Sequence, residues 1–431
     1  MSALQTAKWM LLALSIAISI GLVRIGNDWP TIYNDCQNPT LTVGPEEDPS
    51  LQQLIDRATP RTIMHLKPST YNVHLQITRS LTLCGDGPQQ TILKGVVDQE
   101  NPLLPIPVIK IFNATGAIEV TLEGLLVTKG QAGRDGGGIV SGGQARVTLK
   151  NVKVSAHESF GIGNDSKGQL TLQDVEISDN GSSGLFVAGE EPKVVLQRVL
   201  IAHNGAKSSL CDGLHGILTI NPDTKVDKAS YSLEDVKFVG NKCDGLHIEH
   251  IAQVTGQRLQ MLDNGGGIWL EGAVVASLTD VEVGNNHVWG ISLFEGVAGL
   301  KQGTQGIEVT YASPQLILQQ AKIFNNQFNG LSVSNSAVAK LQGVTVEGNG
   351  THPACKTNVR AVCNGVEVSK GAQVTIQDST IRENMVWGVA AYLKKCGYSI
   401  DDFTGRVVLE GHNIIEGNNK AGKQQGEVCL P

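Results

Sequence analysis

One five-residue motif, CDGLH, carries the residue types that acid–base chemistry needs and occurs twice, at 211–215 and 243–247. If the copies stack, their two carboxylates cannot both ionise easily, so one can hold a proton and serve as a general acid or base in glycosidic cleavage. Two histidines can abstract a proton near neutral pH. The candidate catalytic residues are therefore His215, His247, Asp212 and Asp244.

The candidate substrate-binding residues are three in number, and all of them follow the second copy of the motif in the chain. Trp269 can stack on a sugar ring, and Glu249 and Glu271 belong to a neighbouring column of outward-facing residues. A histidine base would suit β-elimination or epimerisation of a uronic acid. Such a reaction also needs a cation or a donor to neutralise the developing enolate, and calcium is the one cofactor that we consider.

The same motif has two other interpretations. Duplication of a repeat places identical residues next to each other in adjacent coils, and aspartate before glycine is an ordinary turn residue. The motif can therefore be purely structural. Two aspartates and two histidines can also hold a divalent ion. The sequence shows no tetrahedral ligand set, however, and leaves the identity of any metal unknown.

The elements that must position these residues are the short strands of a repeat. One unit reads LTLQDVEI at 170–177, then Asn180, then GLFV at 184–187. Similar units recur with a base period of about 23 residues, interrupted by insertions. Each unit supplies three strand pieces with alternating apolar positions, unlike a leucine-rich repeat, which needs several leucines at fixed offsets. The pattern predicts an all-β fold, a parallel β-helix solenoid.

Two sets of residues recur at fixed positions of the predicted coil. Asparagines are expected at the bends, because asparagine tolerates left-handed backbone conformations cheaply. These asparagines are Asn180, Asn204, Asn241, Asn264, Asn286, Asn326, Asn349, Asn384 and Asn418. Outward-facing residues in adjacent coils are expected about 4.8 Å apart. They form a column of Phe186, His215, His247, Trp269, Ser292, Ser332, Glu367 and Ala390.

The predicted domain organisation has four parts. Residues 1–25 are a signal peptide or an N-terminal membrane anchor, 26–60 a linker and N-terminal cap, 61–420 the parallel β-helix, and 421–431 a C-terminal tail. The cap is predicted to be a short amphipathic helix with Asp48 as N-cap and Pro49 in its first turn. Its apolar face is formed by Leu51, Leu54, Ile55 and Ala58.

The N-terminal segment and the cysteines both indicate an extracytoplasmic protein. An uncharged apolar run at 9–23 lies between Lys8 and Arg24 and suits the core of a signal peptide or an uncleaved anchor. The anchor alternative would attach the protein to a membrane through that run. The chain has 8 cysteines, none of them in a CxxC pair, which agrees with an oxidising compartment. We therefore expect a secreted, periplasmic or cell-surface location.

Repeat register suggests how the cysteines pair. Stacked motifs place Cys211 beside Cys243 at a distance that a disulfide tolerates, and Cys355 and Cys363 lie within one insertion. The pairs Cys36–Cys84 and Cys396–Cys429 follow mainly by elimination.

The composition and the insertions narrow the choice of partner. The net charge of −7 argues against nucleic acid, which requires a basic stripe. It argues only mildly against an acidic polymer. Insertions in a solenoid often wall a binding groove. They are predicted near 205–212, 221–230, 294–305, 350–363 and 391–406, and either GISL at 290–293 or GIEV at 306–309 is the regular strand there.

The opening coils resemble a known superfamily. PSTY at 68–71 and LTLCGDG at 81–87 look like the start of secreted bacterial members of the pectin-lyase-like superfamily, and the resemblance spans about residues 40 to 420. It implies a right-handed parallel β-helix with an N-terminal capping helix. The superfamily includes lyases, hydrolases, epimerases and adhesins, so the fold alone does not choose an activity.

Two functions are therefore carried forward. The first is an extracytoplasmic protein that binds or processes an extended polysaccharide as a lyase, an epimerase or a glycoside hydrolase. The second is a non-catalytic cell-envelope or adhesion solenoid, in which the loops bind partners and the CDGLH copies are structural. The Asp-x-x-His spacing is only loosely similar to the Asp-Pro-His of alginate epimerases, because Gly213 and Leu214 depart from it.

Overall fold

Stacked parallel strands make up most of the regular structure. The computed structural model describes residues 35–45, 50–96, 106–131, 136–189, 191–208, 210–216, 228–303, 306–357, 362–420, 422 and 427–431. Residues 39–431 form one unit, and residues 1–38 form another, whose described end carries the 3-10 helix Asp35–Gln37. The predicted signal or anchor lies outside the described residues.

One sheet, which we call the site face, contains one short strand from each coil. Its neighbouring strands all pair in parallel. In the described part of the chain these strands are Leu75–Ile77, Pro107–Asn113, Gly137–Gly143, Ile162–Ser166, Leu185–Ala188, Leu214–Gly216, Asp244–Ile248, Gly266–Glu271, Ile291–Phe294, Leu331–Val333, Val366–Val368, Val389–Ala391 and Val428–Cys429.

The second sheet covers the other two sides of the coil. Most coils give it two strands, but some give one long strand that runs through the corner. Over the described residues its strands are Leu41–Val43, Thr62–Leu66, Ser69–Val73, Leu81–Cys84, Thr91–Gly95, Glu119–Glu123, Leu126–Thr128, Arg146–Lys150, Lys153–Ser155, Gln169–Gln173, Glu176–Ser178, Lys193–Ala202, Ala229–Val239, Ile251–Leu262, Ala273–Gly284, Gln315–Gln319, Lys322–Phe324, Val338–Gln342, Thr345–Glu347, Gln373–Gln377, Thr380–Arg382, Arg406–Glu410 and Ile414–Glu416.

The core is built from the alternating apolar positions of these strands. In one coil Leu172, Ile177 and Leu185, one from each side, are completely buried. Register stacks them on equivalent residues of the next coil, for example Leu172 on Leu196. Burying each such side chain contributes roughly 1.5–3 kcal/mol. The predicted all-β parallel β-helix is confirmed.

The recurring asparagines do not lie at left-handed bends, so that prediction was wrong. They are buried, and the side-chain oxygen of each accepts the backbone N–H of the ladder residue in the preceding coil, as Asn241 does from Asn204 at 3.1 Å. The side-chain amide of Asn204 also donates to Asn241 at 3.0 Å. Left-handed backbone falls one residue earlier, at Asp179, His203 and Asp263. An asparagine that hydrogen-bonds to buried backbone groups stabilises the coil more than one that only adopts a left-handed bend.

The N-terminal cap is a helix, as predicted, but it starts later. Helix α1 covers Leu51–Arg57, and its N-cap is Ser50, which forms a capping box with Gln53. Residues 46–49, with the predicted N-cap Asp48, lie outside the described residues. Leu51 and Ile55 face the core, so the helix closes the apolar end of the solenoid.

The strands extend beyond the predicted ends of the solenoid. Leu41–Val43 pairs in parallel with Thr62–Leu66, inside the predicted linker and cap. Val428–Cys429 pairs with Val389–Ala391, inside the predicted tail. Short strands at the ends of a solenoid have only one neighbour, so their apolar alternation is too brief to recognise from the sequence.

The insertions carry the remaining elements. Gly296–Gly303 and Gly306–Ala312 form an antiparallel hairpin, so the regular strand is Ile291–Phe294 and not the segment at 306–309. Helix α2, Pro353–Thr357, and the 3-10 helix Lys394–Cys396 lie in two later insertions. Most of the insertion at 221–230 lies outside the described residues.

The predicted disulfides are present. Cys211–Cys243, Cys355–Cys363 and Cys396–Cys429 are bonded. Cys36 and Cys84 are each disulfide-bonded as well. Over the residues that are described, no helix has the length and apolarity needed to cross a membrane.

Candidate functional site

Strand register confirms the predicted outward column. Each member pairs with the next one along the site face, with His215 opposite His247 and His247 opposite Trp269. The pairs continue from Phe186 to Ala390 in the predicted order. The candidate residues from separate repeats therefore lie in consecutive coils.

The lower part of the column is not exposed, which corrects the prediction. Glu367 is 6% and Ala390 0% exposed, because two insertions fold over them as a second apolar cluster. The Tyr398 hydroxyl donates to Oε2 of Glu367 at 2.7 Å, and burial raises the pKa of Glu367 above its usual range. The Cys355–Cys363 and Cys396–Cys429 disulfides hold this cover in place. Ser292 is itself only 1% exposed, so the accessible stretch beside the histidines ends at Trp269.

The two CDGLH copies meet at Asp212. Nδ1 of His215 donates to Oδ2 of Asp212 at 2.6 Å, and Nδ1 of His247 lies 3.4 Å from the same oxygen. Oδ2 of Asp244 lies 3.9 Å from Nδ1 of His247. The Asp212 side chain is only 5% exposed, so water screens these contacts weakly. Equal positions in two adjacent coils thus converge on one carboxylate.

The opposite edge of both imidazole rings faces Glu249. Its Oε1 lies 3.0 Å from Nε2 of His247 and 3.5 Å from Nε2 of His215. The shorter contact is an ion pair with poor hydrogen-bond alignment, so Nε2 of His247 has no hydrogen-bond partner among the described residues. At 22% exposed, the Glu249 side chain is the most accessible of this group. The two histidines therefore bridge a buried carboxylate and an outer one.

The surroundings separate the pKa values of the two aspartates. Burial disfavours the charged form of Asp212, but hydrogen bonding to His215 and contact with His247 outweigh it and lower the pKa of Asp212 to about 2. Burial raises the pKa of Asp244 to about 6, and the Asp212 carboxylate adds to that rise. Asp212 is therefore ionised at neutral pH, whereas Asp244 titrates near neutrality.

The charge of His247 follows from the carboxylates around it. Burial disfavours its protonated form, but contacts with Asp212 and Glu249 raise the pKa of His247 to about 10. Burial likewise opposes the charge on Glu249, yet the contact with His247 lowers the pKa of Glu249 below its usual range. At neutral pH the pair is therefore a cation beside an anion.

Aromatic rings continue the row in both directions. Phe186 lies 5.7 Å from His215 between ring centroids, and Trp269 lies 5.6 Å from His247. Trp269 donates its indole N–H to Oε2 of Glu271 at 3.1 Å, so the predicted Trp269 and Glu271 are brought together. Phe294 stacks on Trp269 at 5.0 Å with 13° between the rings. The row offers flat apolar faces on both sides of the charged cluster.

Sequence reasoning missed Phe294, and it gave Trp289, which precedes Gly290, a structural role at the turn and no place in the site. The ring of Trp289 lies 5.0 Å from that of Trp269. Its indole N–H makes no hydrogen bond to the described residues, but its proximity to the Asp244 carboxylate opposes the rise in the pKa of that group. Register places Asp244 opposite Gly266, and the same offset places Gly266 opposite Trp289. Phe294 lies opposite Glu271. Aligning the residues that precede each glycine places Trp289 in the same column as Asp212 and Asp244, a signal for a role in the site.

The cluster also has metal-binding residue types. One ligand atom from each of Asp212, His215 and His247 lies within 4.8 Å of the others. With Glu249 and Asp244 nearby, the chemistry available here is proton transfer between carboxyl and imidazole groups or the coordination of a cation.

The matching family describes a fold and no reaction. Residues 216–419 match the family model for a right-handed β-helix region. No curated protein sequence matches the chain.

Several solved structures are similar to this chain at low sequence identity. The A-module of a mannuronan C-5 epimerase from Azotobacter vinelandii is 11% identical, with 85% of this chain and 94% of that chain covered and a TM-score of 0.44. The catalytic unit of a GH87 α-1,3-glucanase from Streptomyces thermodiastaticus is 11% identical, with 87% and 69% covered and a TM-score of 0.48. A pectin methylesterase from Erwinia chrysanthemi is 10% identical, with 66% and 90% covered and a TM-score of 0.39.

Proposed function

We propose that this chain, a right-handed parallel β-helix of the pectin-lyase-like type, is an extracytoplasmic enzyme that performs acid–base chemistry on an extended polysaccharide. The observation that carries the proposal is the arrangement of Asp212, the two histidines and Glu249 in one row across two coils. The four disulfide-bonded cysteine pairs support an oxidising compartment outside the cytoplasm.

The row has the parts of a proton-transfer site. Asp212 accepts from Nδ1 of His215 and so sets the tautomer and orientation of that ring. Nε2 of His247 lies 3.0 Å from Glu249, within reach for proton transfer once the ring rotates slightly. Glu249 and His247 are the more exposed members, so they are the groups that would touch substrate. Asp212 and His215 would position them from beneath.

The aromatic rings extend the site along the solenoid axis. From Phe186 to Phe294 the row crosses four coil-to-coil steps, about 19 Å at the usual strand spacing. Sugar rings present apolar faces that stack on aromatic side chains, and Trp269 and Phe294 form such a platform next to His247. A platform of this length suits a polymer better than a single sugar.

The charge of the site bears on the class of polymer. Four carboxyl groups, those of Asp212, Asp244, Glu249 and Glu271, lie in the site. Uronate carboxylates would lie beside them, so we expect a neutral polysaccharide, or a uronate polymer with a cation such as calcium between the two sets of carboxylates.

The test is turnover by the purified full chain on neutral and uronate-rich polysaccharides, with and without calcium. Polymer size and new reducing or unsaturated ends report cleavage, and NMR reports epimerisation. We expect His247→Ala and Glu249→Gln each to lower turnover by at least about 100-fold. His287→Ala, which changes an exposed histidine on a nearby coil, is the control and should retain full turnover.

The alternative has its own supporting observation. Oδ1 of Asp212 accepts the backbone N–H of Asp244 at 2.8 Å, so the motif also ties adjacent coils together as a structural ladder would. Turnover that persists in His247→Ala would put the catalytic site elsewhere. A folded chain with no activity on any polymer would favour the non-catalytic solenoid.

A further inference from the structure

We propose that His215, His247, Asp212 and Asp244 bind one divalent transition metal ion of the zinc type. This inference rests on the site of the proposed function and adds the cofactor to it, but its test requires no turnover. The four residues are two copies of Asp-x-x-His, each copy supplying one carboxylate oxygen and one imidazole nitrogen from adjacent coils.

One donor atom from each of Asp212, His215 and His247 lies within 4.8 Å of the other two, and Asp244 completes the set when its carboxylate turns toward them. Oδ2 of Asp212 lies 2.6 Å from Nδ1 of His215 and 3.4 Å from Nδ1 of His247, which lies 3.9 Å from Oδ2 of Asp244. Four donors placed tetrahedrally at the usual 2.0–2.2 Å from zinc are roughly 3.4 Å from one another. To reach that value the Asp212–His215 separation must grow by about 0.8 Å and the Asp244–His247 separation must shrink by about 0.5 Å, changes that side-chain rotation can supply.

The histidines are oriented as metal ligands usually are. A ligating imidazole normally gives its second nitrogen to a carboxylate, which fixes the ring. Here both Nδ1 atoms face the aspartates while both Nε2 atoms face Oε1 of Glu249. One outer carboxylate therefore serves both rings.

The surrounding chain holds the two halves of the site together. The Cys211–Cys243 disulfide immediately precedes both aspartates and keeps the cysteine Cα atoms 5.1 Å apart. In the next coil the equivalent position is Gly266, where a Cβ atom would overlap the Asp244 carboxylate. The glycine thus leaves the space that the carboxylate occupies.

The donor types select the metal. Calcium prefers six to eight oxygen ligands, whereas imidazole nitrogen suits zinc, copper and nickel. Two imidazoles and two carboxylates supply the four nitrogen and oxygen donors that a tetrahedral zinc site needs. We therefore expect the ion to fix His247 and Glu249 in place.

The test uses the full chain without a histidine tag, stripped with a chelator and titrated with Zn²⁺ in a calorimeter. We expect one ion per chain, and X-ray absorption of the zinc-loaded protein should show four nitrogen or oxygen ligands, two of them imidazoles. Co²⁺ in place of zinc should give the intense visible absorption of a four-coordinate site. His247→Ala should weaken zinc binding by at least about 100-fold, and Glu249→Gln by about 10–100-fold. His287→Ala should bind as the unaltered chain does.

Several outcomes overturn this inference: no zinc binding below about 0.1 mM, a shell of oxygen ligands only, calcium competing equally, or unchanged affinity in His247→Ala. If circular dichroism shows that His247→Ala does not fold, the imidazole count on the unaltered chain decides. Zinc binding without turnover on any polymer would keep the metal site and remove the proposed function. Turnover that neither chelator nor zinc affects would keep the proposed function and remove the metal site.

Discussion

Identical residues behave differently in the two CDGLH copies. Asp212 lies between both histidines and has its pKa lowered to about 2, whereas Asp244 borders the Asp212 carboxylate and a glycine, and its pKa rises to about 6. The motif sequence is the same, so the difference comes from which coil lies on each side. The pKa of a side chain in a solenoid therefore depends on the neighbouring coils as much as on its own repeat.

Gly266 should therefore be the position where a single methyl group disturbs Asp244. In Gly266→Ala the new Cβ overlaps the Asp244 carboxylate and comes within 2.7 Å of Nε1 of Trp289, so both side chains must shift and we expect a stability loss of about 1–2 kcal/mol. Displacing the carboxylate should lower both zinc affinity and polymer turnover by at least about tenfold. Urea unfolding, calorimetry and turnover assays measure these effects.

The adjacent glycine provides the control. A Cβ at Gly267 would strike the backbone carbonyl of Gly290, which cannot rotate away, so Gly267→Ala should cost about 3 kcal/mol or more. Equal stability losses in the two variants would contradict the placement of Asp244 over Gly266.

The ladder of hydrogen-bonded asparagines that joins the coils has a different residue at each of its two ends. The asparagine ladder starts at His157, whose backbone N–H donates to Asn180, and ends where Asn418 donates to Glu427 at 2.6 Å. His157 is buried, with Nδ1 accepting from Gly130 and Nε2 facing the Val127 carbonyl. The neutral imidazole uses both ring nitrogens in hydrogen bonds, and a second proton would remove the acceptor at Nδ1. We therefore expect the first coil of the ladder to be sensitive to acid.

We expect His157→Asn to reduce the acid sensitivity of the fold. Burial lowers the pKa of His157 from 6.5 to about 4, so between those values the unfolded chain binds a proton that the folded chain excludes. Stability is thus fully present above pH 6.5 and falls as the pH drops toward 4, by about 3 kcal/mol in total. The variant should lose less stability over that window, as measured by urea unfolding at several pH values.

The same substitution at His287, which is exposed, is the comparison for this experiment and should leave the pH dependence unchanged. If His157→Asn and the unaltered chain lose stability in parallel from pH 6.5 to 4, the acid sensitivity lies elsewhere in the structure.

Across the whole molecule, the asparagine ladder joins coils that differ widely in sequence and in insertions. Asn326 shows what one rung contributes. Its side-chain oxygen accepts from the backbone and side chain of Asn286, and its amide donates to Asn349 and to the Val283 carbonyl. Removing it would leave several buried polar groups without partners.

Asn326→Ala should therefore lower the unfolding free energy by about 3 kcal/mol or more, since each buried unsatisfied group costs roughly 1–3 kcal/mol. The preceding residue is the matched control. Asn325 is exposed and has a φ of 53°, so Asn325→Ala should cost only about 1 kcal/mol from left-handed strain. Calorimetric or urea unfolding separates the two, and a similar cost at both positions would refute the role of the ladder.

The repeat pattern was sufficient to predict the parallel β-helix, the register of most coils and the Cys211–Cys243 disulfide. Every coil must bury the same alternating apolar positions, so the pattern recurs at a readable period and the register follows from aligning the repeats. That is why the alignment of His215, His247 and Trp269 and the Cys211–Cys243 pair were predictable. The local N-cap, Ser50 instead of Asp48, was not, because several polar residues in the segment can cap a helix.

Which residues of the column are accessible could be seen only in the folded coils with their insertions. The insertions follow no period, so nothing in the repeat indicates that they cover Glu367 and leave His247 accessible. The asparagines were predicted at bends because backbone propensity is a property of one residue alone. Their actual role depends on hydrogen bonds between residues of different coils. The separate pKa values of Asp212 and Asp244 arise in the same way. Such through-space contacts set burial and charge, and a repeat pattern contains no information about them.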